Sequence, residues 1–229
     1  MIENQPLISV LMSVKDDEKN VGAAIESILN QTYRNLEFLI NDDSSTDSSL
    51  KVIRKYEKID TRIKVFTNKT NIGLTKSLNK LINESKGKFI ARQDSDDVSL
   101  SERLINQMEA LNKFDLGAVT SRALVKKTKK LIPNFSYYLP VKIVMKFKNP
   151  FIHGTLLIKK DILENVKNYD ENFIYAQDYK LMNDILEKKV RVKILKEPLY
   201  ILNTEDNISS NFFFEQKFYS DCVKKGINP

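Results

Sequence analysis

Two carboxylates near the middle of the chain, Asp94 and Asp96, have the spacing of a metal site. The apolar run 89–92 that precedes them predicts a short buried strand. Because side chains alternate along a strand, Asp94 and Asp96 project from the same side of its end, where they repel each other unless a cation joins them. Mg²⁺ or Mn²⁺ carrying a phosphorylated ligand would do so, since both take oxygen ligands. An ordinary acidic turn is the alternative.

The cysteine and histidine content limits the kind of metal site. Cys222 is the only cysteine and His153 the only histidine, so a metal must lie among oxygen ligands. A single cysteine excludes an internal disulfide and agrees with a reducing, cytoplasmic location. The sequence has no apolar run that predicts a transmembrane helix and no pattern that predicts a secretory signal. His153 is either a buried hydrogen-bonding residue or a functional one.

The positive charge of the protein lies entirely in its second half. Residues 1–125 hold 18 Lys and Arg against 18 Asp and Glu, whereas residues 126–229 hold 19 against 12, which accounts for the net charge of +7. Such an excess predicts attraction to an anionic partner: nucleic acid, a membrane surface or a phosphate-bearing acceptor. Lysines that only keep the protein soluble are the alternative.

Strand and helix patterns alternate four times in the first half of the chain. Short β-branched runs predict strands at 8–14, 36–40, 63–66 and 89–92, and apolar residues at helical spacing predict helices that begin near residues 21, 50 and 74. This alternation predicts an α/β fold with a doubly wound, mostly parallel central sheet and helices on both faces.

The polar segments 13–16, 42–46 and 94–97 each follow one of these strands. In such sheets ligands bind beyond the carboxyl ends of the strands, near the point where the strand order reverses. The shared location therefore predicts one site instead of three separate acidic turns.

The pattern after residue 115 is less regular. We expect strands at 117–120, 153–158, 190–195 and 199–202, and helices at 141–147, after a capping Asp161, at 178–187 and at 212–223.

Seven motifs in order along the chain resemble the family 2 inverting glycosyltransferases, which have the GT-A fold. The segment 41–47, NDDSSTD, resembles the family's DDGSTD turn, and 175–179, YAQDY, resembles its acceptor-site motif. The other matching segments are 8–16, 27–33, 71–79, 90–97 and 150–158, so that the resemblance covers about residues 7–202.

The resemblance implies a nucleotide-diphospho-sugar donor, most often a UDP-sugar, held with Mn²⁺ or Mg²⁺. Asp43 would bind the base, Asp94 would lie near the ribose and the metal, and Asp96 would be the principal metal ligand. The remaining donor-binding residues implied are Ser13, Val14, Asp16, Asn71, Lys76 and Ser95. From the residues alone, Asp43 could equally cap a helix or form an Asx turn.

Asp178 is the residue that the resemblance places as general base. An inverting displacement needs one carboxylate to take the proton from the acceptor hydroxyl. An acid that merely stabilises the start of a helix is the alternative. One departure from the family concerns the turn at 41–47, where Ser44 replaces the usual glycine; we expect the turn to tolerate it with a negative φ.

The resemblance also assigns a role to each part of the chain. Residues 1–115 would form the nucleotide-sugar-binding half and 116–205 the acceptor and catalytic half of one domain, with an amphipathic C-terminal tail at 206–229. The acceptor would be a saccharide or a lipid-linked saccharide of bacterial surface polysaccharide assembly. The aromatic tail and basic second half predict peripheral contact with anionic membrane at the inner face of the plasma membrane, although the tail could instead pack on the domain or bind a partner.

Four other functions compete with this interpretation. A sugar nucleotidyltransferase would carry a glycine- and arginine-rich loop after the first strand. The segment 11–22 contains a single glycine, Gly22, and no arginine. A nucleic-acid binder leaves the strand-end carboxylates unexplained, so we expect no nucleic acid partner. An EF-hand calcium loop at Asp94 lacks the glycine and glutamate that it requires. A relative that binds the donor without transferring the sugar stays open.

Overall fold

The computed structural model describes residues 5–205 and 212–229. The strands are β1 Ile8–Val14, β2 Leu36–Asp42, β3 Ile63–Thr67, β4 Phe89–Arg92, β5 Val98–Ser99, β6 Ala118–Val125, β7 Leu131–Ile132, β8 Leu157–Lys159 and β9 Val192–Leu202. The α-helices are α1 Val21–Leu29, α2 Ser49–Ile59, α3 Leu74–Glu84, α4 Arg103–Phe114, α5 Val141–Val144, α6 Lys160–Asn165, α7 Gln177–Glu187 and α8 Phe213–Lys225. None of these helices is long and apolar enough to cross a bilayer.

One mixed sheet joins the strands in the order β3-β2-β1-β4-β8-β6-β9-β5, with β7 paired to β6. The strands β3, β2, β1 and β4 are parallel, β8 is antiparallel to both β4 and β6, and β6 is parallel to β9. The chain first moves outward from β1 to β3 and then returns to place β4 on the other side of β1. This reversal makes the carboxyl ends of β1 and β4 the expected ligand site.

Helices cover both faces of the sheet, which confirms the doubly wound α/β prediction. Val10 and Met12 of β1 pack in the core on one face, with α1, α2 and α4. Leu11, between them, packs in the core on the other face with α3, α6, α7 and α8. The period-two alternation of the strand therefore supplies both cores at once.

The second half of the chain differs from prediction in several places. The two strands expected at 190–195 and 199–202 are the single strand β9, whose register against β6 shifts after Ser121. The strand expected at 153–158 begins as a 3₁₀ turn, His153–Thr155, and only then becomes β8. Asp161 lies in the first turn of α6 and does not cap it, because Lys159 occupies the N-cap position. The short β5 and β7 and the helix α4 were not predicted.

A buried carboxylate fixes the amino-terminal ends of the central strands. Glu37 of β2, 6% exposed, accepts hydrogen bonds from Ser9 Oγ of β1 at 2.6 Å, Lys64 Nζ of β3 at 2.5 Å and Lys86 N before β4 at 2.6 Å. Burial acts to raise the Glu37 pKa, but these bonds and the Lys64 charge outweigh it, and the pKa lies below its usual 4.5.

We expect Glu37→Gln to lower the free energy of unfolding at pH 7 by about 1–3 kcal/mol, because it removes a charged acceptor from three donors. A depressed folded-state pKa stabilises above the unfolded pKa, and that stabilisation is lost as the pH falls through the folded value. Urea unfolding should therefore show the deficit shrinking in acid. Glu109→Gln, on an exposed position of α4, is the control; a deficit that does not change with pH would contradict the assignment.

Candidate active site

The end of β4 carries a chain of hydrogen-bonded polar side chains. Arg92, 1% exposed, donates from Nη2 to Asp94 Oδ1 at 2.5 Å and from Nε to His153 Nε2 at 3.3 Å. His153 Nε2 also lies 2.6 Å from the Tyr169 hydroxyl. These hydrogen bonds connect the acidic segment 94–97 to His153 and Tyr169. The Arg92 guanidinium therefore positions both Asp94 and His153.

His153 is a neutral hydrogen-bond acceptor in this chain. Burial, and then the Arg92 charge, lower its pKa to about 3, with Asp94 acting in the opposite sense. Since Arg92 Nε can only donate, the His153 Nε2 lone pair accepts, and the ring proton resides on Nδ1. The structure shows the hydrogen-bonding role for this half-buried side chain, whereas a functional role for His153 stays a prediction.

Arg103, at the start of α4, places a second cation behind the acidic segment. Its guanidinium is fully buried and donates from Nη1 to the carbonyl oxygens of Arg92 at 2.9 Å and Gly154 at 2.6 Å. Burial lowers its pKa to about 10, and the Tyr200 and Asp94 charges oppose the shift. An arginine within an amphipathic helix gives no sequence signal of burial, which is why this residue was missed.

The carboxylates after β4 hold more negative charge than their neighbours neutralise. Burial, and then the charge of Asp94, raise the pKa of Asp96 to about 6. Asp97 is 2% exposed, and burial together with Asp94 and Asp96 raises its pKa as well. Asp97 Oδ1 accepts a hydrogen bond from Asn203 N at 2.6 Å, which ties the segment to the end of β9. The charge of Asp94 thus contributes to the raised Asp96 pKa, and the placement of both carboxylates on one side of the strand end stays a prediction.

This donor set fits a hard divalent cation. Asp94 and Asp96 offer only oxygen atoms, and their mutual repulsion would be relieved by positive charge. Within residues 5–205 and 212–229, no three His, Cys, Asp or Glu side chains form a metal-binding cluster. A cation held here would complete its coordination with phosphate oxygens and water, as Mg²⁺ does in phosphate sites. Asp94 and Asp96 as metal ligands, and Ser95 between them, stay predictions.

The loops after β1 and β2 are fastened to each other. The Asp16 carboxylate accepts hydrogen bonds from Thr46 N at 2.6 Å and Thr46 Oγ1 at 3.2 Å, and it pairs with Lys15 at 2.6 Å. The Lys15 contact, followed by the Thr46 bonds, lowers the pKa of Asp16 to about 2. Ser13 and Val14 lie on β1, paired with Asn41 and Asp42. The predicted donor-binding residues Ser13, Val14 and Asp16 thus lie at the carboxyl end of β1, beside the carboxyl end of β2.

Ser44 adopts a left-handed backbone conformation, with φ +62°. The expectation of a negative φ was wrong, and the turn keeps the geometry that a glycine would adopt without strain. Its carbonyl oxygen accepts a hydrogen bond from Lys15 Nζ at 2.8 Å, which fixes the strained turn to the neighbouring loop.

The Asp43 carboxylate holds the turn before α3. Its Oδ1 accepts from Asn68 Nδ2 at 2.8 Å and Ile72 N at 2.9 Å, and its Oδ2 accepts from Gly73 N at 2.8 Å. The side chain is 3% exposed, so this structural role is established, whereas base binding by Asp43 stays a prediction. Asn71 Oδ1 accepts from the same Gly73 N at 3.0 Å.

Two lysines of α3 differ in their surroundings. Lys76, the predicted donor contact, is exposed in the first turn. Lys80, one turn later, donates from Nζ to Asn68 Oδ1 at 2.7 Å and to Asn41 Oδ1 at 3.2 Å. It therefore links α3 to the carboxyl ends of β2 and β3. Sequence reasoning missed Lys80, although its spacing of four from Lys76 places both on one side of the helix.

Asp178 lies in the first turn of α7. Ala176 before it has φ +51°, which turns the chain sharply into the helix. Asp178 Oδ2 accepts a hydrogen bond from Asn149 Nδ2 at 2.8 Å. Burial raises the Asp178 pKa, the hydrogen bonds oppose the shift, and the Asp94 charge adds to it. A carboxylate with a raised pKa is a stronger proton acceptor once ionised.

Two cavities meet at Asp178. The first holds only about 10 Å³ and is enclosed by His153 and Leu156, among others. The second is an open pocket of about 210 Å³, whose lining residues are Phe147, Lys148, Asn149, Ala176, Asp178, Tyr179, Gln216, Ser220 and Lys224. Neither cavity is lined by Asp43 or Asp96. Asp178 shares the lining of the small cavity with His153, which is the last point at which the Arg92 hydrogen bonds approach it.

The mostly parallel, doubly wound sheet with an acidic segment after β4 is the arrangement of the GT-A fold. Residues 9–188 match the family model described as Glycosyl transferase family 2, and the chain belongs to that family.

Curated relatives agree with this assignment. The chain is 35% identical over 224 residues to the O-antigen biosynthesis glycosyltransferase WbnJ of Escherichia coli, covering 93% of this chain and 87% of that protein. It is 28% identical over 222 residues to WfaP of Escherichia coli, a UDP-Glc:alpha-D-GlcNAc-diphosphoundecaprenol beta-1,3-glucosyltransferase, covering 95% and 86%.

Among solved structures, the mannosyltransferase PcManGT from Pyrobaculum calidifontis, in complex with GDP-Man and Mn²⁺, superposes with a TM-score of 0.77 at 16% identity. The match covers 99% of this chain and 67% of PcManGT. A likeness at this identity supports the fold, and the chain spans about two thirds of the length of the solved structure.

Gly154 allows the acidic segment to approach the 3₁₀ turn. A Cβ at this position would lie 2.7 Å from Asp94 Oδ2 and would also clash with the Tyr200 hydroxyl. We expect Gly154→Ala to displace Asp94 and to weaken Mn²⁺-dependent UDP binding by about tenfold or more, measured by calorimetry.

Gly22→Ala is the matched control, because a Cβ there meets Tyr56 at an ordinary 3.5 Å. Circular dichroism of each variant shows whether the fold is retained. Unchanged UDP binding by a folded Gly154→Ala protein would show that Asp94 does not contribute to the donor site.

Proposed function

We propose that the protein is a metal-dependent inverting glycosyltransferase that moves a sugar from a UDP-sugar to a hydroxyl of a saccharide or lipid-linked acceptor in surface polysaccharide assembly. The observation that supports this most strongly is the position of Asp178. Its carboxylate lines an open pocket and is oriented by Asn149. A carboxylate base at a pocket that can hold an acceptor is what a single displacement needs.

Asp178 takes the proton from the acceptor hydroxyl as that oxygen forms its bond to the anomeric carbon. The bond from the anomeric carbon to the diphosphate oxygen breaks at the same time, and the nucleoside diphosphate leaves with the electron pair. Asn149 keeps Asp178 Oδ2 oriented through the 2.8 Å hydrogen bond. No second acid is required, because a diphosphate leaves as a stable anion.

A divalent cation bound by Asp94 and Asp96 would supply positive charge for the departing diphosphate. Arg92 fixes Asp94 Oδ1 through its 2.5 Å contact, so that the Asp94 carboxylate has one orientation before the donor arrives. Such preorganisation avoids the cost of ordering the side chain during the reaction.

The relatives guide the choice of donor and acceptor. WfaP is named for a UDP-Glc donor and a lipid-diphosphate acceptor, and WbnJ for O-antigen biosynthesis. The competing nucleotidyltransferase function is disfavoured, because the loop between β1 and α1 has no arginine and Gly22 lies inside α1 against Tyr56.

We expect Asp178→Asn to abolish sugar transfer while metal-dependent UDP binding is retained, because the change removes the base and keeps the shape. A thermal-shift panel of nucleotide-sugars with and without Mn²⁺ identifies the donor, since stabilisation grows with ligand excess over its dissociation constant. EDTA should remove the stabilisation. Transfer is then measured with the donor that the panel identifies.

Asp184→Asn on the same helix is the control; Asp184 pairs with Lys180 at 2.6 Å. Loss of UDP binding together with transfer in Asp178→Asn would mean that Asp178 acts in the donor site. If the wild-type protein binds UDP-sugars but transfers none to any acceptor tested, the alternative holds that this chain binds the donor without transferring the sugar.

We propose that α8 also brings the enzyme to anionic membrane. Three rings on this helix are largely exposed, Phe213 at 61%, Phe214 at 81% and Phe218 at 56%, beside the exposed Lys217. Exposed rings with flanking lysines are typical of interfacial helices. The predicted tail segment 206–211 lies outside the described residues, and the division at residues 115 and 205 stays a prediction.

The double change Phe213→Ser and Phe214→Ser should reduce co-sedimentation with phosphatidylglycerol-containing vesicles at low salt by about tenfold or more, since two exposed rings are lost from the interface. Vesicles of phosphatidylcholine alone provide the uncharged comparison. Ile59→Ser, on an equally exposed apolar position of α2, should have no effect. A wild-type protein that ignores both kinds of vesicle rules the membrane contact out.

A further inference from the structure

One wall of the Asp178 pocket comes from α8. Gln216, Ser220 and Lys224 all line the pocket, and their spacing of four places them on one face of the helix. The match to the family model ends at residue 188, well before this helix. The wall therefore lies outside the segment that the family model matches.

The position of α8 is fixed against the start of α7. Gln216 Oε1 accepts a hydrogen bond from Ala176 N at 3.2 Å, two residues before Asp178. Tyr219 packs edge-on against Phe173 at 6.0 Å between ring centroids, and Cys222 and Val223 are buried in the core. The pocket-facing row is thus held at a defined distance from the candidate base.

A second part of the lining follows α5 in the chain and also carries a cation. Phe147, Lys148 and Asn149 line that side, and Asn149 is the residue that orients Asp178. Lys148 is exposed, and Lys224 makes only a short-range surface pair with Asp221 at 2.9 Å. The pocket therefore has a carboxylate at one point of its lining and an ammonium group on each of two walls.

This arrangement separates two chemical tasks. Asp178 suits a hydroxyl that must lose a proton, whereas two ammonium groups suit an anion that carries more than one negative charge. A pocket of about 210 Å³ has room for a single sugar between them. Lys224 can exchange its exposed partner Asp221 for a phosphate at little cost, since such surface pairs contribute little.

We propose that Lys148 and Lys224 bind a phosphate group attached to the acceptor sugar, and that the α8 row Gln216, Ser220 and Lys224 determines which acceptor the enzyme takes. This inference rests on the proposed glycosyltransferase function and deepens it. The phosphate could belong to a soluble sugar phosphate or to a lipid-linked diphosphate, and the two share the chemistry that the lysines recognise.

The test measures binding to the full chain by calorimetry with EDTA present, so that no metal recruits phosphate to the acidic segment. The probes are N-acetylglucosamine 1-phosphate and a short-chain lipid diphosphate of N-acetylglucosamine. We expect Lys148→Gln and Lys224→Gln each to weaken both probes by roughly tenfold, as loss of a charge-assisted contact does. Tighter binding of the lipid probe identifies the lipid-linked source, and equal binding shows that a soluble sugar phosphate suffices.

Lys146→Gln and Lys225→Gln are the matched controls, because both are exposed neighbours that do not line the pocket. Equal weakening in controls and pocket variants, or none in any, would overturn the inference. Stabilisation of the pocket variants by UDP-sugar and Mn²⁺ should equal that of wild type, and its loss would also overturn the inference. A wild type that no nucleotide-sugar stabilises would instead refute the proposed function itself.

Discussion

Repulsion among carboxylates at the end of β4 is the constraint on which the rest of the site depends. Asp94, Asp96 and Asp97 lie within four residues. Burial, and then the charge of the neighbouring carboxylates, raises the pKa of both Asp96 and Asp97. The fold answers with two buried guanidinium groups, Arg92 and Arg103, behind the segment. They offset part of this charge, and a cation together with a phosphorylated ligand, as proposed above, would offset more of it.

Three of the eight described non-glycine residues with a positive φ belong to the candidate site. Asp16 and Ser44 have positive φ values at the ends of β1 and β2, and Ala176 has one before the candidate base. Such conformations persist only where surrounding contacts enforce them. Here the Asp16–Thr46 and Gln216–Ala176 hydrogen bonds do so, which couples the shape of the loops after β1 and β2, and of the pocket at Asp178, to the packing around them.

The sequence predicted the first half of the fold well. Each strand there is a separate apolar run, and each predicted helix has apolar residues at helical spacing along one face. It failed where pairing is non-local: β8 is antiparallel between β4 and β6, and β5 pairs with β9 a hundred residues away. Site residues with a motif, such as Asp94 and Asp178, could be found. Arg103 and Asn149 could not, because their roles arise from what they touch.

By itself, the sequence determined the period-two and helical patterns that require a two-sided sheet, the absence of a thiolate or imidazole metal site, and the charge of each half. Only the tertiary structure decided that Asp43 bonds to the turn before α3, that Arg92 joins Asp94 to His153, and that α8 closes the pocket at Asp178. Local sequence patterns show which side of each segment is buried and which faces water. A site is made by contacts between segments that are far apart in the chain, and their distances are fixed only when the whole sheet packs.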